Sequence, residues 1–239
     1  MPRFCYVSKI LPGKSDTIRN HWKTKLEDNT AQKEAEDADF WKELKMTGFE
    51  SFLQPTPVGD FMIHCLEGES LEKIFEGLRK QITANNKIAL NLANFYQNTL
   101  GKDYQKPEAE PEIEFLLDVH VPTNLPQVKK AFFYPILADK VEAHRQFRKD
   151  SNGEKKMRHE ASMKAFNVSH LSVWLQKVGH EYYSVVYTER RPDSQCDAAK
   201  RLERGMNSPE WQEIAKTLQE HTGLSHNELS PNVEWLTQH

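Results

Sequence analysis

The stretch Pro111-Glu112-Ile113-Glu114-Phe115-Leu116 returns 120 residues later as Pro231-Asn232-Val233-Glu234-Trp235-Leu236. Both segments read proline, any residue, a β-branched aliphatic residue, glutamate, an aromatic residue and leucine. Similar offsets align further blocks in the same order: 6–11 with 132–137, 52–54 with 174–176, 58–60 with 178–180 and 60–66 with 181–187. Ordered blocks at one period indicate a tandem duplication, because each copy then encodes one structural unit.

The duplication divides the 239-residue chain into two halves, 1–120 and 129–239. Between them, segment 121–128 contains Pro122 and Pro126 and has little periodicity, so we predict an extended linker there. Because a domain has roughly 100 to 200 residues, the length also fits two small domains.

The residue pattern in each half predicts the same order of elements: a strand, helices, a strand hairpin, helices and a final strand. The first half has strands at 4–11, 49–54, 60–66 and 113–119, and the second at 131–137, 169–176, 181–188 and 232–237. This order is β-α-β-β-α-β with extra helices, the split βαβ or ferredoxin-like arrangement. When helices cover one face of such a sheet, its other face is apolar and must be buried against another layer. We therefore predict an α+β fold in which two antiparallel sheets pack face to face as a pseudo-twofold barrel.

This duplicated order resembles the dimeric α+β barrel superfamily, in which two ferredoxin-like units pack sheet to sheet around a cavity. Known members include antibiotic-biosynthesis-type and haem-degrading monooxygenases, chlorite dismutase-like haem proteins and sugar mutarotases. The hairpin that ends in 59–68 is most similar to an uncharacterised family in this superfamily. A shared fold does not transmit a function, so the resemblance implies the architecture and a cavity rather than a reaction.

The composition excludes several classes of protein. A net charge of −3 lacks the basic excess of a dedicated nucleic-acid binder. The sequence shows neither a secretory signal nor an apolar run of roughly 18 residues, so we predict a soluble protein with no nucleic-acid or membrane partner. Cys5, Cys65 and Cys196 form no Cys-x-x-Cys pair, and we predict reduced thiols, with Cys65 in the core, and a cytoplasmic location. One chain can close its own barrel, so we predict a monomer, with pairing of edge strands between chains as the alternative.

Motifs for cofactors are missing from the sequence. There is no Gly-x-Gly-x-x-Gly, Walker loop or Gly-x-Ser-x-Gly, and no spacing typical of a metal site. We therefore predict no cofactor and no metal. The expected partner is a small apolar or aromatic ligand in the cavity.

Three residues are the catalytic candidates. His64 shares a strand face with Asp60, because alternate side chains of a strand point the same way. If that face lines the cavity, the pair can carry protons, and the Tyr183 phenol can orient a carbonyl or phenolic ligand. In the alternative interpretation, His64 packs against the helices, Asp60 is solvated and Tyr183 belongs to the core.

Six further residues are candidates for ligand binding. They are the repeat-related pairs Gln54 with Gln176 and Glu114 with Glu234, together with Trp174 and Glu181. Residues related by the repeat are expected near a pseudo-twofold axis or at opposite ends of a cavity. There, polar pairs could flank a ligand, or simply stabilise the interface between the two sheets.

Three functions remain open. The leading hypothesis is a small-molecule-binding barrel that acts as a cofactor-independent oxygenase or isomerase. The second is a non-catalytic structural or interaction protein with a fully packed interface. The third is a haem-binding barrel, for which His144 or His170 would be the ligand.

Overall fold

The computed structural model describes residues 2–27, 30–122, 127–192, 195–229 and 231–238. Half of the predicted linker, 121–128, lies outside these ranges, namely 123–126. The strands are β1 (Arg3–Lys9), β2 (Met46–Thr56), β3 (Gly59–Gly68), β4 (Ile113–His120), β5 (Val128–Ile136), β6 (Val168–Val178), β7 (Glu181–Arg190) and β8 (Glu234–Gln238). The helices are α1 (Ser15–Glu27), α2 (Ala31–Glu43), α3 (Leu71–Thr83), α4 (Lys87–Leu100), α5 (Val141–Asn152), α6 (Lys156–Ala165), α7 (Gln195–Met206) and α8 (Pro209–Thr222).

The first compact unit comprises Met1–Pro111 with Asn232–His239. Its four-stranded antiparallel sheet has the order β1-β3-β2-β8. The β2–β3 turn requires Gly59, whose φ of 118° is a conformation that side-chain-bearing residues rarely adopt. Helix α3 begins where the Ser70 side chain accepts a hydrogen bond from the Lys73 amide, and it buries one apolar face. Its buried residues are Ile74, Phe75, Leu78 and Ile82.

The second compact unit is Glu112–Pro231, and its antiparallel sheet has the order β4-β6-β7-β5. We call the face of this sheet that packs against helices the helix-side face, and the opposite one the helix-distal face. On the helix-side face, a core cluster joins strand residues to helix residues, and it includes Leu117, Val173, Leu175, Val186, Phe147, Ile214 and Leu218. Helix α8 begins at a Ser208 cap and ends at Gly223 in the left-handed conformation.

The α+β class and the two four-stranded antiparallel sheets are confirmed, with the predicted order of elements. The structure adds an exchange of strands between the halves of the sequence. Strand β4 closes the first half but pairs with β6, and β8 closes the second half but pairs with β2. The boundaries of the compact units therefore differ from the repeat boundaries 1–120 and 129–239, which stay a prediction.

Cys5 and Cys65 are direct register partners on β1 and β3 and form a disulfide, with their Cα atoms 4.3 Å apart. The prediction of reduced thiols is wrong for this pair, because sequence spacing alone does not reveal which cysteines face each other. Cys65 is buried as predicted. The Cys196 side chain lies outside the described part of the structure.

The helices in the described ranges include none long and apolar enough to span a lipid bilayer.

Candidate functional site

Four of the predicted site residues share the helix-distal face of the second sheet. Alternation along β6 places Trp174 and Gln176 on this face, and alternation along β7 places Glu181 and Tyr183 there. Gln176 and Tyr183 are direct register partners. The structure therefore brings together side chains that the sequence could propose only one by one.

Tyr183 has a polar and an apolar neighbour on this face. Its hydroxyl donates a hydrogen bond to Glu181 Oε2 at 2.5 Å, and its ring meets Phe133 edge to face at 5.3 Å. Burial raises the pKa of the Tyr183 phenol most, and the Glu181 carboxylate raises it further. Tyr183 is thus a hydrogen-bonding phenol rather than a phenolate.

Aromatic side chains continue across the same face. The Trp174 ring is buried and lies 6.0 Å from the ring of Phe115, its register partner on β4. We call Phe115, Phe133, Trp174 and Tyr183 the aromatic patch. Phe133, Trp174 and Tyr183 are buried, whereas Phe115 is 57% exposed, so the patch reaches the surface at Phe115.

A polar cluster around His170 lies on the helix-distal face as well. His170 Nε2 is 2.7 Å from Asp118 Oδ1, and the Ser172 hydroxyl donates to the same oxygen at 2.7 Å. His170 Nδ1 is 3.6 Å from Glu189 Oε1, an ion-pair distance that is too long for a hydrogen bond. The Tyr187 hydroxyl donates to Glu189 Oε1 at 3.0 Å. We call these five residues the His170 cluster.

The two carboxylates set the protonation of His170. Burial opposes its charged form, but the interactions with Glu189 and Asp118 outweigh burial and raise the pKa of His170 above its ordinary value. For Asp118, burial favours the neutral form, yet the Ser172 hydroxyl and His170 lower the pKa of this carboxyl. The cluster therefore contains an imidazole whose charged form is favoured, beside a carboxylate whose ionised form is favoured.

The arrangement resembles an oriented acid–base group. His170 Nε2 is close to both Asp118 and the Ser172 hydroxyl, whereas Nδ1 has the longer 3.6 Å contact with Glu189. The side chains of His170 and Asp118 are 17% and 50% exposed, so part of this pair is accessible. The sequence had named His170 as a further site candidate of low weight and as a haem candidate, and it gave no signal for Asp118 or Glu189.

His64 lies elsewhere, on the face of the first sheet that α3 and α4 cover. Its ring stacks on Tyr6 at 4.8 Å and meets Tyr96 edge to face at 5.4 Å. Neither ring nitrogen has a hydrogen-bond partner among the described residues, and burial, with a smaller effect from Lys102, lowers the pKa of His64 to about 3. This is the packing alternative considered for His64, and a catalytic role stays an untested prediction.

Asp60 is the second residue of β3 and lies on the same face as His64, and its carboxylate accepts a hydrogen bond from the Ser15 hydroxyl at 2.5 Å. It belongs to the first unit, whereas Tyr183 belongs to the second. Gln54 is also in the first unit, buried on β2 opposite Phe61.

The two repeat-related glutamates form equivalent ion pairs. Glu114 Oε2 is 2.7 Å from Arg145 Nε on α5, and Glu234 Oε2 is 2.8 Å from Arg19 Nε on α1. Both pairs are partly exposed and tie an edge strand to a helix. This contact is the structural use considered for these glutamates, and ligand binding by them remains a prediction.

His144, the other haem candidate, is buried under the helices of the second unit. Its Nδ1 is 3.3 Å from His221 Nδ1 and its Nε2 is 3.1 Å from Ser184 Oγ, so both nitrogens contact protein atoms. Within the described ranges, no three His, Cys, Asp or Glu side chains come together in a way that could hold a metal ion.

Comparison with known proteins shows a likeness of fold. No protein-family model matches the chain, and no curated protein matches it. A crystal structure from Fusobacterium nucleatum, described as a putative monooxygenase, matches over 99% of this chain and 92% of its own, with a TM-score of 0.50 and 5% identity. A putative monooxygenase from Lactobacillus acidophilus matches over 100% and 94%, with a TM-score of 0.38 and 11% identity. The first match shows that this chain shares the α+β fold of that structure.

Proposed function

We propose that the chain binds a small planar organic molecule at the helix-distal face of the second sheet and moves a proton on it. The reaction belongs to cofactor-independent oxygenase or isomerase chemistry. The observation that carries the proposal is His170 held between Asp118 and Glu189, on the same face as the aromatic patch.

The proton-transfer step follows from the geometry of His170. General acid–base catalysis is most efficient when the pKa of the catalytic group lies near the working pH. Asp118 fixes the imidazole through Nε2, so Nδ1 can accept a proton from an acidic C–H or O–H of the ligand while Asp118 stabilises the imidazolium. Returning the proton to a different carbon completes an isomerisation. In an oxygenase that acts on a CH₂ group, the carbanion instead forms a C–O bond with O₂. The O–O bond of the resulting peroxide then breaks as the second proton leaves the same carbon, which gives a carbonyl and releases the other oxygen atom as water.

Ligand binding follows from the aromatic patch and two polar groups beside it. The exposed ring of Phe115, next to Trp174, supplies a flat apolar contact, and the Tyr183 hydroxyl and Gln176 amide lie on the same face to orient a carbonyl or phenol. A planar enolisable ketone or a phenol fits both requirements. The name of the Fusobacterium nucleatum protein supports oxygenase chemistry over isomerisation.

The test is proton exchange into a panel of enolisable aromatic ketones and phenols in deuterated buffer, measured by NMR alongside oxygen uptake. His170→Gln keeps a hydrogen-bonding side chain but has no titrating group, and it should slow exchange about 10²- to 10⁴-fold. His180 is exposed in the β6–β7 turn, and His180→Gln is the matched control that should exchange at the wild-type rate. Oxygen uptake coupled to product formation identifies an oxygenase, and exchange without uptake identifies an isomerase.

Two results would contradict the proposal. One is equal exchange rates in wild type and His170→Gln. The other is a panel in which no compound raises the melting temperature of the wild-type protein, which would favour a non-catalytic structural protein.

A further inference from the structure

A cleft of about 590 Å³ lies between strand β4 and helix α5 of the second unit. Its strand wall is formed by Glu114, Phe115 and Leu116, and its helix wall by residues between Glu142 and Gly153. A cleft of this volume is large enough for an organic ligand. No residue of the His170 cluster lines it, so the cleft is separate from the group proposed for proton transfer.

The cleft follows the edge of β4. Neighbouring residues of a strand point to opposite faces of the sheet, so Glu114, Phe115 and Leu116 can line one cleft only along the side of the strand. Strand β4 is an outer strand of its sheet, and within the described ranges its outer side pairs with no strand. The β-bulge between Phe115 and Leu117 interrupts the regular edge after this stretch. The cleft therefore contains a short strand edge whose backbone groups are available to a further strand.

The helix wall has the length of a short extended peptide. Its residues Glu142, Arg145, Lys149 and Asn152 are three or four positions apart and so lie on one face of α5. Over this span the helix rises about 15 Å. An extended chain advances about 3.3 Å per residue, so about four or five residues of a peptide match the wall. A groove between an edge strand and a neighbouring element is a common site for a peptide that adds a strand to a sheet.

The charges of the cleft differ between its two ends. Arg145 Nε is 2.7 Å from Glu114 Oε2, and the same guanidinium pairs with Glu142. These two carboxylates share one cation, so one negative charge remains unbalanced beside Arg145. Lys149 lies one turn further along α5, is exposed, and forms no ion pair with the residues that the structure describes. An acidic side chain is therefore attracted at Lys149 and repelled near Glu114.

We propose that this cleft binds an extended peptide that carries an acidic side chain. The peptide backbone hydrogen-bonds the outer side of β4 as an added edge strand, and its acidic side chain forms an ion pair with Lys149. The binding site is independent of the proposed proton transfer.

The test is an NMR titration of the full-length, ¹⁵N-labelled chain with two capped hexapeptides of alternating valine and threonine. One peptide has a central glutamate, and the other has lysine in its place. We expect the glutamate peptide to bind more tightly, with shifts of the backbone amides of 113–116 and 145–153. Absence of shifts at about 1 mM peptide, or shifts confined to other parts of the chain, would overturn the proposal.

The ion pair is tested with Lys149→Gln, which changes an exposed side chain. This variant should weaken binding of the glutamate peptide about twofold to fivefold, as expected for an exposed ion pair, and should not weaken the lysine peptide. Lys216 is exposed on α8, and Lys216→Gln is the matched control that should bind both peptides like the wild type. Equal affinities of the two variants for the glutamate peptide would contradict the role of Lys149.

Strand addition is tested by N-methylation of the glutamate peptide at alternate amides, which removes the donors along one edge of its backbone. Two such peptides, one for each edge, distinguish backbone pairing from side-chain contact alone. The peptide that lacks donors on the edge facing β4 should bind about tenfold more weakly or worse, because at least two hydrogen bonds are lost. If both methylated peptides bind as tightly as their parent, strand addition is wrong.

Discussion

His64 and His170 show how surroundings set the chemistry of one residue type. Both lie on a strand with an aromatic ring nearby, but His64 is enclosed by Tyr6 and Tyr96 while His170 lies between two carboxylates. Burial therefore keeps His64 neutral, and the carboxylates favour the charged form of His170. The sequence shows two histidines on strands and cannot distinguish these environments.

Three buried histidines predict a loss of stability in acid. His64 and His159 have folded-state pKa values of about 3, and His144 has one of about 2, all below the ordinary value of 6.5. Below pH 6.5 the unfolded chain binds protons that the folded chain does not, so the free energy of unfolding falls as the pH falls. Each histidine lowers the free energy of unfolding by about 1.4 kcal/mol for every pH unit below 6.5. The three together lower it by about 4 kcal/mol per pH unit, down to pH values near 3. Urea unfolding at pH 6, 5 and 4 measures this slope.

The variant His64→Phe measures how much His64 alone contributes to the pH dependence of the free energy of unfolding. Phenylalanine keeps a planar ring for the contacts with Tyr6 and Tyr96, and it loses no hydrogen bond, since His64 makes none with the described residues. In His64→Phe, the free energy of unfolding should fall with pH about one third less steeply than the three histidines together predict. Its value at pH 7 should be preserved. His180→Phe, in the exposed turn, should leave the slope unchanged. An unchanged slope in His64→Phe would show that His64 takes up a proton in the folded state.

At the scale of elements, periodicity predicts the strands and helices well but not the partners of side chains. A β-bulge separates Phe115 from Leu117, so Phe115 and Asp118 share the helix-distal face although strict alternation would separate them. A second irregularity lies between Val168 and His170. The Asp118–His170 contact depends on the bulge in β4 and on the β4–β6 register. For this reason the sequence could name Trp174, Tyr183 and His170 singly, whereas it could not show that Asp118 lies beside His170.

The junction between β3 and α3 depends on a glycine. A Cβ atom added to Gly68 would lie 2.8 Å from the Lys45 carbonyl oxygen and 2.9 Å from Ile74 Cδ1. The backbone oxygen cannot yield as a flexible side chain would, so Gly68→Ala should destabilise the protein by about 1 to 3 kcal/mol. Gly153→Ala is the control, because its nearest contact would be an ordinary 3.6 Å. Equal unfolding midpoints for the two variants in urea would contradict this account.

At the scale of the whole chain, the exchange of edge strands links the two halves of the sequence. The last strand of each half pairs with the second strand of the other half, and the Arg145–Glu114 and Arg19–Glu234 ion pairs connect the halves in the same way. The duplication was readable from the sequence because the repeated blocks keep their order. The exchange was not, because an edge strand carries the same pattern of residues whichever sheet it joins.

Strand exchange predicts that the halves stay together after the chain is cut. A protease site inserted in the predicted linker, 121–128, would separate β1–β4 from β5–β8 covalently. It would not break the hydrogen bonds of β2 with β8 or of β4 with β6. We expect the two fragments to elute together in gel filtration without denaturant and to separate in urea. Deleting 232–239 should weaken this association, because β2 then loses its β8 partner and one of the two ion pairs is removed. Fragments that separate in native buffer would show that each half completes its own sheet.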